Sequence, residues 1–261
     1  MTEAPLACLR ETPWETRNLG RASFAVTDAF WEAPDSAALG AELSALRRSR
    51  GPLFAFARLG RESLPLVPEV QALGFYVVEC TVNPVMMLHR NPVLAEFEAD
   101  PTPFIPRRYA QEDLEFRSLE EVTPDWARVL EDMARESFSD DRFHRDHQCP
   151  PGIADQRFAF WMGDLLRDAS ITYEVLSLKG TPVSFVAHRQ NYMIIAGFDA
   201  GHVHSGLGEY FWLATCSAAK RAGHKIVHTL VSVNNLPSLN LCARCGFRFK
   251  DTAYSFHFWG D

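Results

Sequence analysis

No apolar run in this chain approaches the roughly 18 residues that cross a bilayer. Residues 1–16, MTEAPLACLRETPWET, lack a basic start followed by an apolar core. The expectation is therefore a cytoplasmic protein with no secretory signal and no membrane partner. Basic residues are in the minority, 26 Lys and Arg against 33 Asp and Glu, for a net charge of −7. That balance disfavours a nonspecific nucleic-acid partner and leaves only a local basic groove as a route to one. Glycine (15) and proline (16) are too few in 261 residues for a collagen or linker protein. Six cysteines without a signal do not make a disulfide framework. Only Cys242 and Cys245 are spaced as Cys-x-x-C, and a structural zinc site takes two such pairs. The pair precedes Gly246-Phe247, a helix stop, whereas a redox pair opens a helix. The two thiols therefore read as small, buried helix residues, and no metal is expected.

Apolar residues make up 47% of the chain and charged residues 23%, enough for a sizeable core. The length fits between one and two domains. Pro101-Thr-Pro-Phe-Ile-Pro106 is a stiff connector and sets the expected boundary, with domains 1–105 and 106–261. In the first, strands are expected at 23–26 and 53–58, helices at 36–49 and 68–73, and one broken strand or a strand pair over 75–88. In the second, helices are expected at 125–137, 153–167, 206–222 and 236–245. Strands are expected at 171–178, 182–189, 192–198, 226–233 and 247–259, and Lys179-Gly180 reads as a hairpin turn. Residues 138–152 read as a charged loop. The fold class is α/β (α+β), a mixed central sheet flanked by helices.

One stretch carries chemistry. A strand runs into Asp199-Ala-Gly-His-Val-His-Ser-Gly-Leu-Gly208, and a long helix follows. Gly206 and Gly208 let a ligand approach the backbone, and a helix N-terminus favours an anion such as pyrophosphate. A second stretch reads Val233-Asn-Asn-Leu-Pro-Ser-Leu-Asn-Leu-Cys-Ala-Arg-Cys-Gly-Phe247: a strand end, a short helix and a Gly-Phe stop.

Together these segments resemble the GCN5-related N-acetyltransferase superfamily. Its phosphate loop reads Arg/Gln-x-x-Gly-x-Gly/Ala, and its next strand leads to Asn-x-x-Ala-x-x-Leu-Tyr-x-x-x-Gly-Phe. Here Gly206 and Gly208 match the loop, with Val203 in place of its first polar residue. Asn235, Ser238, Leu241, Gly246 and Phe247 match the second pattern. The resemblance covers roughly residues 107–259. It implies the superfamily's fold and an acyl-CoA, most simply acetyl-CoA, as co-substrate. The implied cofactor-binding residues are Ala196, Gly197 and Phe198 on the strand, Val203, His204, Ser205, Gly206, Leu207 and Gly208 in the loop, and Asn235. Trp14-Glu-Thr-x-x-Leu-Gly20, the Phe138–His144 loop and the Phe160-Trp161 helix further resemble two-domain TDP-fucosamine acetyltransferases. In those enzymes the loop lies over the acceptor, which makes Asp140, Arg142, His144 and Trp161 candidate substrate residues. Gln71-Ala-Leu-Gly-Phe75 echoes Ala243-Arg-Cys-Gly-Phe247, so the first hundred residues read as a partial, non-catalytic copy of the same fold.

Position 242 departs from the family. Its usual general acid there is Tyr, which would reprotonate the leaving thiolate; this chain has Cys242. The acid is then Cys242 itself, or another donor such as Tyr210, Tyr254 or His257, or is dispensed with. An amine nucleophile needs a base near neutral pKa, for which His188 and Glu174 on paired strands are candidates. His202 and His204 read as phosphate contacts or solvent-facing residues, and Asp199 as a loop cap. The expected activity is transfer of an acyl group, most simply acetyl, to a primary amine of a small molecule, with an amino sugar nucleotide as one class. Two rivals stand beside it. One is an aminoacyl-tRNA-dependent transferase, the single reading with a nucleic-acid partner. The other is a non-catalytic acyl-CoA sensor. A homodimer is left open.

Overall fold

The computed structural model describes residues 6–119, 121–137 and 141–260. In chain order the elements are β1 (Leu9–Glu11), α1 (Pro13–Leu19), β2 (Ala22–Val26), α2 (Asp28–Glu32), α3 (Ser36–Arg50), β3 (Leu53–Gly60), α4 (Val67–Ala72) and β4 (Tyr76–Met87). There follow α5 (Pro92–Ala99), β5 (Leu114–Leu119), α6 (Pro124–Ser137), α7 (Ile153–Arg167), β6 (Thr172–Leu178), β7 (Thr181–Arg189) and β8 (Tyr192–Phe198). The chain closes with α8 (Gly208–Arg221), β9 (Ile226–His228), β10 (Val231–Ser232), α9 (Leu236–Arg244) and β11 (Arg248–Gly260). Most expected elements are present. Helices α1, α2 and α5 were not anticipated, β4 runs unbroken through Asn83-Pro84, and the strand expected over 226–233 is two short ones.

The chain divides into two compact units whose boundaries differ from those expected at 105/106. The first unit holds residues 6–81, 141–157 and 251–260, and the second holds 82–137 and 158–250. The last strand of the chain therefore serves the first unit, where β11 pairs antiparallel with β3 from Ala253↔Gly60 to Gly260↔Leu53. The end of β4 serves the second, pairing β9 through Val85↔His228.

In the first unit β1 pairs antiparallel with β2, and β2 lies parallel to β3. Leu39, Leu43 and Leu46 fall on one stripe of α3 and are buried with Phe24, Phe30, Leu53, Ala55, Phe75 and Phe256. The 141–157 segment is fixed there by two buried carboxylates. Glu15 is fully buried. It receives hydrogen bonds from Arg142 Nη2 (2.8 Å), from Arg157 Nε (3.1 Å) and Nη2 (3.0 Å), and from Asn18 Nδ2 (3.3 Å). Burial pushes the Glu15 carboxyl up, but the two guanidinium groups more than offset it and hold it below the usual range. Arg142 stacks on Phe56 and Phe143, 4.7 Å from each ring centre.

Asp146 is the second anchor. Its carboxylate accepts from His257 Nδ1 (2.7 Å), Trp259 Nε1 (2.7 Å), the Gln148 N–H (2.9 Å) and the Tyr76 hydroxyl. Burial raises its pKa, and these donors, His257 first, bring it down to about 2. Burial lowers His257 to about 4, against the pull of Asp146. Its Nε2 is buried with no partner among the described residues.

The second unit carries the sheet order β4-β9-β8-β7-β6-β5, antiparallel except for β8 and β9, with β10 beside β4. Lys179 (φ 52) and Gly180 (φ 80) make the expected tight turn between β6 and β7. Alternation along the strands builds two cores. Leu176, Val186 and Met193 face α8 and α9 through Phe211, Leu213 and Cys242. Tyr173, Val175, Phe185 and Ile195 face α6 and α7 through Leu130, Met133, Phe158 and Met162. No helix among the described residues is long and apolar enough to cross a membrane.

Two measurements test the buried charges. Removing one partner of a buried ion pair costs about 3–5 kcal/mol, because the other charge is left uncompensated. Glu15→Ala is expected to lose that much in urea unfolding. Acid should also destabilise the first unit. His257 titrates near 6.5 when unfolded and about 4 when folded, and Asp146 near 3.9 unfolded and about 2 folded. Both folded values are depressed, so stability is complete above pH about 6.5 and falls progressively toward pH 2. A melting temperature flat from pH 7 to 3 would contradict this.

Candidate active site

Strand β8 pairs with β7 along its length, through Ser184↔Phe198, Phe185↔Gly197 and Val186↔Ala196. The Asp199 N–H bonds the Val183 carbonyl (3.1 Å). Because antiparallel neighbours exchange hydrogen bonds at alternate residues, Gly197 also turns toward β7. Ala196 and Phe198 point their N–H and C=O groups to the other side. On that side the β8–β9 ladder consists of one pair, Tyr192↔His228. The Thr229 hydroxyl closes this junction on the Met193 carbonyl (2.9 Å). Beyond it the β8–β9 ladder ends, and that edge of β8 has no further strand partner among the described residues. The Phe198 carbonyl accepts from Ser137 Oγ (2.9 Å), which leaves the Ala196 groups and the Phe198 N–H toward the opening. At Gly197 an added Cβ would lie 2.4 Å from Ser137 Oγ, so the end of α6 requires glycine there.

The loop after β8 is internally tied. Asp199 accepts the Gly201 N–H (2.8 Å) on Oδ1 and meets His202 Nδ1 (2.7 Å) through Oδ2. The His202 N–H bonds the Asp199 carbonyl (2.9 Å), and the Ser205 N–H bonds the His202 carbonyl (3.0 Å). Arg108 donates to the carbonyls of His204 (3.2 Å) and Ser205. Gly206 is left-handed (φ +80), and a Cβ there would come within 3.0 Å of Pro106 Cγ. No side chain caps α8, whose N-cap is Leu207. Its first-turn N–H groups thus remain available to an anionic ligand.

Other expected residues are placed differently. Gly208 lies 3.3 Å, measured from an added Cβ, from Leu241 Cδ2, so its small size serves the packing of α8 on α9. The Asn235 side chain caps α9, accepting the Ser238 N–H (3.1 Å). Cys242 is 1% exposed in the core, and burial pushes its thiol up to about 12. A sealed, weakly acidic thiol is not set to protonate a leaving group in the opening. Cys216 and Cys245 are buried in the same core, which accords with reading the Cys-x-x-C pair as helix packing. His188 and Glu174 do meet, Nε2 to Oε1 at 3.4 Å. His188 Nδ1 also bonds the Gln190 carbonyl (2.9 Å), and Glu174 accepts from Ser118 Oγ (2.6 Å). Every nitrogen of that imidazole is engaged, so the pair reads as a strand-fixing contact rather than a base. Tyr210 turns toward α5, its ring 5.5 Å from Phe97, in a groove of about 420 Å³ with Phe116, Ala214 and Arg221. Of the other donors considered, His257 is fully buried in the first unit and Tyr254 packs, partly buried, against that unit's core.

Of the acceptor residues, Asp140 lies outside the described residues. Arg142 is committed to Glu15 in the first unit. His144 is clamped between Asp141 (3.0 Å) and Asp155 (2.9 Å). Burial lowers its pKa, but the two carboxylates outweigh that and raise it. Trp161 packs on the second unit's helical core beside Phe158. Sequence reasoning missed Ser137 and Arg108. Their signal, polar residues at a helix end and beside a proline connector, is too common to single them out.

Neither a family model nor a curated protein matches this chain. Solved structures do. A tandem GCN5-related acetyltransferase from the clavulanic acid biosynthesis pathway, 12% identical, covers 92% of this chain and 76% of its own with a TM-score of 0.61. A GCN5-related N-acetyltransferase from Sphaerobacter thermophilus, 13% identical, covers 93% and 74% with a TM-score of 0.61. One from Kribbella flavida, 15% identical, covers 92% and 82% with a TM-score of 0.57. The chain thus has the mixed α/β fold of the GCN5-related N-acetyltransferases, as its motifs imply. The narrower resemblance to TDP-fucosamine enzymes rests on its residues alone.

Two glycines of one motif are expected to behave differently. Alanine at a left-handed position costs roughly 1 kcal/mol or more. Gly206→Ala, which also meets Pro106, should lose that in thermal unfolding. Gly208→Ala, against the mobile end of Leu241, should stay within about 0.5 kcal/mol of the parent.

Proposed function

We propose that the protein is an acyl-CoA-dependent N-acyltransferase, acting in the cytoplasm, that moves a small acyl group, most simply acetyl, to a primary amine of a small molecule. The observation that carries this reading is the divergence of β8 from β9 beside an uncapped helix N-terminus. Pyrophosphate on the N–H groups of the 204–208 loop and first turn of α8 other than those of Ser205 and Leu207, which are bonded within the loop, places the acyl arm along β8. The Phe198 or Ala196 N–H then faces the thioester carbonyl and stabilises the negative charge that develops as the amine attacks. Collapse breaks the C–S bond and releases CoA. Amino sugar nucleotides remain one acceptor class, supported only by the motifs near Trp14 and Trp161. Burial of Cys242 supports a second reading, in which the protein holds a CoA ester without turnover.

Calorimetry with CoA, paired with release of free thiol from acetyl-CoA over a panel of primary amines, separates the two. Binding with turnover is expected, and Cys242→Ala should leave turnover unchanged. Tight binding without turnover on any amine would favour the sensor. Absence of CoA binding would overturn both and raise the aminoacyl-tRNA alternative.

A further inference from the structure

Amine acylation needs a proton acceptor, and the histidines of the second unit differ in what their nitrogens already touch. His188 uses both. His202 uses one: Nδ1 meets Asp199 Oδ2 at 2.7 Å, and Nε2 has no partner among the described residues. A carboxylate on Nδ1 holds the proton there and leaves a lone pair on Nε2, the tautomer that accepts protons. Asp199 is itself oriented by the Gly201 N–H. Both side chains remain more than a quarter exposed, so the dyad is open to a substrate. The bond from the His202 N–H to the Asp199 carbonyl closes a tight turn, and with the Nδ1 contact it keeps the imidazole against Asp199, the residue that follows β8. That end is where Phe198 offers its N–H.

We propose that His202, oriented by Asp199, is the general base of the transfer, a role that rests on the acyltransferase reading above. The substrate ammonium first loses one proton to solvent. As the neutral amine forms the C–N bond, the Nε2 lone pair takes the second proton from its nitrogen, the C–S bond breaks, and the imidazolium passes that proton to the departing thiolate. One residue thus supplies both proton transfers, and no acid is needed at position 242. The other charged or titratable groups of this loop and its neighbour are His204, with no carboxylate partner among the described residues, Arg107, Tyr109, and Arg108, whose guanidinium lies over Tyr109 and is bonded to the loop carbonyls.

The test is kinetic. General-base catalysis contributes about 100-fold or more. His202→Ala should lower kcat by at least that factor with the CoA dissociation constant within twofold of the parent. The acid limb of the kcat/KM profile should vanish, and added imidazole should restore part of the rate. Asp199→Asn, which disturbs the tautomer, should lower kcat less and leave CoA binding intact. Unchanged kcat, or a loss carried by weakened CoA binding with no imidazole rescue, would overturn the proposal and make His202 a phosphate contact. A parent protein that binds CoA yet acylates no amine would overturn the transfer reading itself, and this role with it.

Discussion

A single residue pair joins β8 to β9, and what the second unit can offer a ligand follows from where that pairing stops. Buried backbone N–H and C=O groups must find partners, and a sheet normally supplies them from the next strand. Here Thr229 and His228 tie the junction, and the neighbouring strand then departs. The shift in register near Ala187/His188 decides which residues face the gap, because it changes the alternation of β8. Without that shift Ile195 and Gly197 would present their amides there, and Gly197 lies beneath the end of α6, where a Cβ would strike Ser137. The bulge, the glycine and the α6 terminus are thus mutually required.

The first unit obeys a different constraint, the burial of charge. Glu15 and Asp146 are costly to remove from water, and their donors come from chain segments far apart: near residue 15 or 76, from 142–157, and from 257–259. Replacing such a set by apolar residues is often neutral or stabilising, so stability alone is a weak reason for it. What it does provide is definition. Each carboxylate accepts several donors in fixed directions, and an apolar cluster could not fix the 141–157 turns so narrowly. Beside them Phe54 packs on Phe143 and on Trp259, with ring centres 5.7 and 4.7 Å apart.

Local chemistry explains what could be read in advance. The periodicities of α3, α7 and the β6–β7 hairpin report each segment's own geometry, and Lys179-Gly180 and Gly206 report backbone angles that few residues tolerate. Helix α5 was missed although Asn91 and Pro92 are an N-cap and a first-turn proline, because only Leu94 and Phe97 are buried along it. Partnership across long sequence separations leaves no local mark. Nothing in Arg142 distinguishes a guanidinium that waits for a phosphate from one that is spent on Glu15. Cys242 matched its motif position, yet a position does not say whether a short side chain stays in the core. The destination of β11 was equally hidden, since a strand's pattern shows its buried face and not its neighbour.

Asn235, Gly208 and Cys242 show that a residue can occupy a motif position and be consumed by the fold: one caps a helix, one admits a neighbour and one fills the core. Function falls to groups whose hydrogen-bonding capacity the fold leaves unused. In the second unit those groups are adjacent in the chain: the amides of Ala196 and Phe198, the outward N–H groups at the start of α8, and Nε2 of His202. A strand that loses its neighbour, a helix without a cap and a histidine with one carboxylate leave their donors and acceptors unsatisfied within some fifteen residues. Each shortfall costs stability if solvent or substrate does not make it up. A fold that gathers all three at the end of one strand has concentrated those costs where a single bound ligand can offset them together.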